Sequence, residues 1–248
     1  LSLSGITGLS LDTNLAVAVG GPSLAVSGGI ISTGNASTIS VAGLASFSSN
    51  TINVDFNNTG TTTATATDFS GTVTNTSGTL TVRGTSTFSN ASVDSFSNAA
   101  GATLILEAEG LGGSASNLTV ANGFTNAGTI ILTDNTGVST SSLLTVTTGT
   151  LTNTGSIQFA NVNSGVQEID AILDNQGTLD VDSENTVRLT NTGRTFTNTG
   201  TVDIASGATF TVNGGTVTQN SAGILTGDGT LDVSTAALTS NGIVNPGT

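Results

Sequence analysis

The chain contains no cysteine, histidine, methionine, tryptophan, tyrosine or lysine, and its only basic side chains are Arg83, Arg188 and Arg194. Without cysteine and histidine there is no disulfide, no Cys/His metal centre and no imidazole to assist acid–base chemistry. Three arginines against 16 carboxylates leave a net charge of −13 over 248 residues. No basic patch remains to neutralise phosphates, and no Tyr or Trp is present to stack on bases, which excludes nucleic acid as a partner. The same charge disfavours anionic membrane surfaces. No apolar run approaches the roughly 20 residues needed to cross a bilayer, so membrane insertion is not expected. The chain starts at Leu1 with no positively charged leader, and it reads as processed or excerpted.

What is present is glycine, 33 residues of it, with 35% hydrophobic and only 8% charged residues. The apolar residues are β-branched or Leu and are spaced two apart, which is a strand pattern rather than a solvated tail. Thr, Ser, Asn, Gly and Val dominate and no stretch carries a sustained 3.6-residue apolar stripe, so helix is not expected.

One tripeptide returns throughout, Asn-x-Gly followed by a short apolar strand. It stands at Asn126-Ala-Gly128, Asn153-Thr-Gly155, Asn175-Gln-Gly177 and Asn198-Thr-Gly200, with looser copies at Asn75-Thr-Ser-Gly78 and Asn98-Ala-Ala-Gly101. The spacings between successive Asn residues are 23, 28, 27, 22 and 23. A repeat of that length is the signature of a solenoid in which each coil places one turn at the same angular position. The expected fold is all-β, a right-handed parallel β-helix of about ten coils of 22–28 residues, roughly 50 Å long at about 4.8 Å per coil.

Within a coil, one apolar residue stands two before each Asn, as in Phe124-Thr-Asn126 and Leu173-Asp-Asn175, and should fill the core. After the Gly, Leu179 and Val181 should point inward while Thr178, Asp180 and Asp182 face water. Gly is expected to supply positive φ at the bend, and Asn to tolerate the left-handed region and bond locally. Stacked coils would also let Asn75, Asn98, Asn126, Asn153, Asn175 and Asn198 form an amide ladder.

The chain divides into a regular part, 69–248, and an irregular one, 1–68, read as drifted coils or an atypical cap. In the latter, Leu9-Ser-Leu11, Leu15-Ala-Val17, Leu24-Ala-Val26 and Ile39-Ser-Val41 are strand patterns between Gly-rich turns, and Thr61–Thr67 is a low-complexity link or an exposed strand with a Thr face.

The C-terminal run Gly223-Ile-Leu-Thr-Gly-Asp-Gly229-Thr-Leu-Asp-Val, followed by Leu238-Thr-Ser-Asn241-Gly-Ile-Val-Asn-Pro246-Gly247-Thr248, resembles the β-strand repeats of bacterial autotransporter passengers and related surface adhesins. The resemblance covers roughly residues 70–248. It implies a right-handed parallel β-helix displayed outside the cell, although the membrane barrel of that family does not appear in this chain.

Three kinds of chemistry have a trace in the sequence. Glu107/Glu109 and Asp180/Asp182 each place two carboxylates on one strand face, about 7 Å apart, a separation that inverting glycoside hydrolases use. Solvated, noncatalytic positions are the expected reading. Gly227-Asp-Gly229-Thr-Leu-Asp232 is half of a calcium-binding nonapeptide pattern, and a single copy supports weak Ca²⁺ binding at most. Thr79/Thr81, Thr85/Thr87 and Thr145/Thr147 have the Thr-x-Thr spacing of an ice-binding array but do not recur at one phase in every coil. Asn35, Asn57, Asn75, Asn90 and Asn117 open glycosylation sequons.

The expected function is therefore non-enzymatic, without a cofactor, and extracellular or at the cell surface. A head-to-tail fibre or surface-layer subunit comes first, with the chain itself as partner. The stalk of an adhesin comes second, with glycans or cell surfaces as partners, and a polysaccharide-active enzyme or ice-binding protein follows. Tail read into head gives Gly247-Thr248-Leu1-Ser2-Leu3, the same grammar as Gly177-Thr-Leu-Asp-Val, so Leu1, Leu3, Pro246, Gly247 and Thr248 are the candidate assembly ends.

Overall fold

The computed structural model describes residues 1–5, 8–11, 13–21, 23–33, 37–92, 94–109, 115–134, 140–161, 165–182, 186–190, 194–233 and 236–244. Among these there is no helix, and 29 strands wind as a right-handed parallel β-solenoid.

The strands fall into three parallel stacks, visited in a fixed order along the chain. Stack 1 includes Ser2–Ser4, Thr61–Thr65, Thr79–Arg83, Thr103–Ala108, Thr129–Asp134, Ser156–Asn161, Thr178–Asp182 and Thr201–Ile204. Stack 2 includes Gly8–Leu11, Thr85–Phe88, Thr186–Thr190 and Thr209–Asn213. Stack 3 includes Leu15–Val17, Asp55–Asn58, Val73–Asn75, Phe96–Asn98, Thr195–Asn198 and Thr216–Gln219. Longer strands bend around a corner: Leu24–Thr33 and Leu44–Ile52 run from stack 1 to stack 2, while Ser116–Asn126, Ser142–Asn153 and Gln167–Asn175 run from stack 2 to stack 3.

Alternation fills the interior, because successive side chains on a strand point to opposite faces. In Thr103–Ala108 the residues Leu104, Leu106 and Ala108 are buried while Thr103, Ile105 and Glu107 are only partly covered. The residue two before each ladder Asn is inward throughout, as with Phe96, Phe124, Leu151, Leu173 and Phe196. All nine phenylalanines lie in this core. Six of them, Phe47, Phe56, Phe69, Phe88, Phe96 and Phe124, form an unbroken run of tilted and edge-on contacts with ring centroids 4.6–5.8 Å apart. Offset and T-shaped geometries are the ones favoured by the ring quadrupole.

One expectation is revised. Coil length is not confined to 22–28 residues, since only 17 separate Asn58 from Asn75 and 21 separate Asn198 from Gln219. Short corners suffice where stack 2 is reduced to Asp68–Phe69. Of the two readings of Thr61–Thr67, the strand is the one present: Thr61–Thr65 belongs to stack 1, with Thr62 and Ala64 inside and Thr61, Thr63 and Thr65 on the outer face. The candidate assembly ends Leu1 and Leu3 lie at the first strand, with Leu1 65% exposed and Leu3 packed against the core. Pro246, Gly247 and Thr248 lie outside the described residues.

Candidate functional site

The corner from stack 3 to stack 1 carries the most regular feature of the molecule. Asn58, Asn75, Asn98, Asn126, Asn153, Asn175, Asn198 and Gln219 stand in register at the ends of successive stack 3 strands. Alternation turns their side chains inward, and the seven Asn residues are 0% exposed.

Each Asn Nδ2 donates to the Oδ1 of the next Asn, at 2.9 Å for Asn58 to Asn75 and Asn75 to Asn98. The distance is 2.7 Å for Asn98 to Asn126, Asn126 to Asn153, Asn153 to Asn175 and Asn175 to Asn198. Asn198 then donates to Gln219 Oε1 at 2.9 Å. From Asn75 onward the same Nδ2 also donates to a main-chain carbonyl of the next coil, including those of Thr103, Thr129, Ser156, Thr178 and Thr201. At the start of the series, Asn58 Oδ1 accepts from Thr62 Oγ1 at 2.9 Å. All the amide dipoles therefore point one way along the axis, an arrangement in which neighbouring hydrogen bonds polarise and reinforce one another.

The local bonding expected of Asn is present, with Asn126 Nδ2 donating to Gly128 O and Asn198 Nδ2 to Gly200 O, each at 3.3 Å, but the positive φ expected at the bend needs correction. None of the ladder Asn residues has positive φ, and the motif glycines Gly128, Gly155, Gly177 and Gly200 do not either, whereas Gly101 of a looser copy does, at φ 83°. Glycine is required by close approach instead: a Cβ on Gly177 would run into the carbonyl oxygen of Gly155 in the coil beneath. That carbonyl accepts from Thr178 N at 2.9 Å, so the corner cannot simply open to make room.

Sequence reasoning missed Asn58 and Gln219. The signal for the first was present, since Asn58-Thr-Gly60 is a full copy of the motif. Gln219 lacks the motif and extends the ladder through its longer side chain.

Two outward columns flank this corner. Thr61, Thr79, Thr103, Thr129, Ser156, Thr178 and Thr201 are in register directly after the corner. Thr125, Thr152, Asp174, Thr197, Thr218 and Thr239 are in register directly before it. The Thr-x-Thr pairs noted in the sequence do not share one face: Thr79/Thr81 belong to stack 1, and Thr85/Thr87 and Thr145 to stack 2.

The carboxylate pairs are differently placed from one another. Glu107 is not solvated: its side chain is 13% exposed, and its Oε2 accepts from Arg83 Nε at 2.8 Å. Arg83 also reaches Glu109 Oε1 at 2.7 Å, so one guanidinium occupies the space between the two carboxylates. Asp180 is half-buried and in register with Asp203 of the next coil, while Asp182 is exposed. Burial, then the charges of Asp182 and Asp203, raise the Asp180 pKa above its ordinary value. Among the described residues no three Asp or Glu side chains group as metal ligands, and Asp228 is exposed. Of the sequons, Asn75 is wholly buried in the ladder and cannot carry a glycan, whereas Asn57, Asn90 and Asn117 are partly exposed and Asn35 lies outside the described residues.

Comparison of the chain with protein-family models, curated proteins and solved structures gives no match.

Proposed function

We propose that this solenoid is a non-enzymatic structural rod that acts outside the cell, as the repeating body of a head-to-tail fibre or surface layer. The observation that carries this reading is the amide ladder, whose seven side-chain hydrogen bonds run through the molecule in one direction. From Asn58 to Gln219 each step from one coil to the next repeats the in-register backbone pairing and the buried amide, while Val17 and Val41 hold the equivalent position in the first coils. Such an interface favours extension along one axis, whether the next coil belongs to the same chain or to a second copy.

Chemistry along the surface supports the same reading. The Glu107/Glu109 pair is engaged by Arg83. The columns that flank the ladder corner are mostly Thr with one Ser, Asp174 being their one charged member named above, and its neighbours Thr152 and Thr197 are neutral, as like charges on adjacent strands would repel. The resemblance of residues 70–248 to autotransporter passengers and surface adhesins supports an extracellular place and a second reading, in which the rod is one length of an adhesin stalk.

Atomic force microscopy of the purified protein over a range of concentrations tests the proposal. Rods one solenoid wide that lengthen with concentration, in increments of about 50 Å for ten coils at about 4.8 Å each, are the expected result. Single rods of constant length favour the stalk, and release of oligosaccharides from a polysaccharide substrate would overturn the structural reading.

A further inference from the structure

A depression of about 260 Å³ opens at the corner from stack 2 to stack 3, where three successive coils meet. Its lining comprises Asp94 from the first coil, Asn122, Gly123, Phe124 and Thr125 from the second, and Gly149, Thr150 and Thr152 from the third. The cause is local. Asn122 pairs with Thr148 and Phe124 with Leu151, so the third coil carries one extra residue at a β-bulge. Gly123 and Gly149 fall at that bulge, where the two coils approach closely: a Cβ on Gly123 would run into Thr150 N, and one on Gly149 into Gly123 N. Asp94 is exposed and held at φ 59°, a conformation an L-residue adopts at a cost and one that is concentrated at functional sites.

We propose that this depression binds a single neutral sugar residue of a glycan. Its volume lies below the usual range for drug-sized ligands, about 300–1,000 Å³, and suits one ring rather than a chain. The Asp94 carboxylate accepts hydrogen bonds from adjacent sugar hydroxyls, and the hydroxyls of Thr125, Thr150 and Thr152 both donate and accept. Asn122 is held in place by its own bonds: its Oδ1 accepts from Gly123 N at 2.9 Å and from Thr148 Oγ1 at 3.3 Å, and Nδ2 reaches Ala91 O at 3.4 Å. That leaves one Nδ2 hydrogen to donate to a ligand.

Other ligand classes fit less well. Asp94 and the net charge of −13 repel phosphates, uronates and sialic acids. One carboxylate is too few for a hard divalent cation, which takes six to eight oxygen ligands. The depression has no indole or phenol on which a sugar could stack, so affinity for one residue is in the millimolar range, and useful attachment comes from repetition along an assembled rod. The site goes beyond the structural reading and does not depend on it: a rod that binds no sugar leaves that reading intact.

The test is an amide ¹H–¹⁵N titration of the whole protein with the methyl glycosides of glucose, galactose, mannose and N-acetylglucosamine, and with N-acetylneuraminate as the anionic comparison. Saturable shifts at Asn122, Gly123, Gly149 and Thr150 with at least one neutral glycoside are expected. Asp94→Gly, which suits the positive φ of this exposed loop position, should weaken that binding about tenfold by removing a charged acceptor while the melting temperature does not fall. No shift at these amides with any neutral glycoside, equal binding of N-acetylneuraminate, or unaltered affinity in Asp94→Gly would each overturn the proposal.

Discussion

Asn126 Nδ2 donates to Asn153 Oδ1 at 2.7 Å although 27 residues separate them, and Asn153 repeats the contact to Asn175 at the same distance across 22. The geometry is constant while the intervening chain is not. Insertions are absorbed mostly elsewhere in the coil; the corner itself takes one extra residue between Asn75 and Thr79 and two between Asn98 and Thr103, and the ladder contact persists there. Replacing Asn153 with Leu deprives Asn126 of an acceptor and Asn175 of a donor, both wholly buried. Each unsatisfied group costs about 1–3 kcal/mol, so Asn153→Leu should destabilise by about 2–6 kcal/mol. Thr152→Ala, on the outer face of the same strand, should stay within about 0.5 kcal/mol. Urea unfolding midpoints of the two variants make the comparison.

Gly177→Ala tests the close approach at the corner. Because the added methyl meets the Gly155 carbonyl in the coil beneath, destabilisation by about 1–3 kcal/mol is expected from overpacking. If glycine served only to permit positive φ, Gly177 would tolerate alanine, as its φ is not positive. A thermal melt of the variant decides between the two.

The Asp180 pKa is raised by burial and by Asp182 and Asp203, so the folded state disfavours its charged form. For an acid with a raised folded pKa, the destabilising contribution is present above that pKa. It fades as pH falls and vanishes below the ordinary value of 3.8. Asp180→Asn should therefore raise the melting temperature at neutral pH and lose that advantage below pH 3.8. Equal gains at both pH values would show that charge is not the cause.

Arg83 joins two carboxylates 24 and 26 residues away, and Glu107 is the more buried of them. Arg83→Leu strips Glu107 of its cation and should cost about 1–2 kcal/mol, the range of a partly buried charged hydrogen bond. Adding Glu107→Leu should recover most of the loss, because the pair is then replaced by apolar packing. A double-mutant cycle measures the coupling.

Much of the fold was legible because its determinants are local. The inward Leu179 and Val181, the apolar residue before each Asn and the recurring Asn-x-Gly can all be read within a few residues. Asn58 escaped notice because its coil is short and its following strand, Thr61–Thr65, places Thr62 and Ala64 where other coils carry larger apolar residues. Gln219 escaped because its role depends on reach rather than on a shared motif. The true reason for Gly177 depends on a carbonyl 22 residues earlier, and the depression at Asp94 depends on three coils meeting at a bulge. Such relations arise only when coils are stacked.

The account rests centrally on the buried amide ladder as the spine of the rod. Hydrogen exchange of side-chain carboxamides in deuterated buffer, followed by NMR, tests it most directly. The NH₂ groups of Asn75, Asn98, Asn126, Asn153, Asn175 and Asn198 should exchange as slowly as the core backbone amides, while those of the outward Asn57 and Gln158 exchange at once. Rapid exchange at Asn126 and Asn153, matching that of Gln158, would contradict the ladder and with it the proposed basis of the rod.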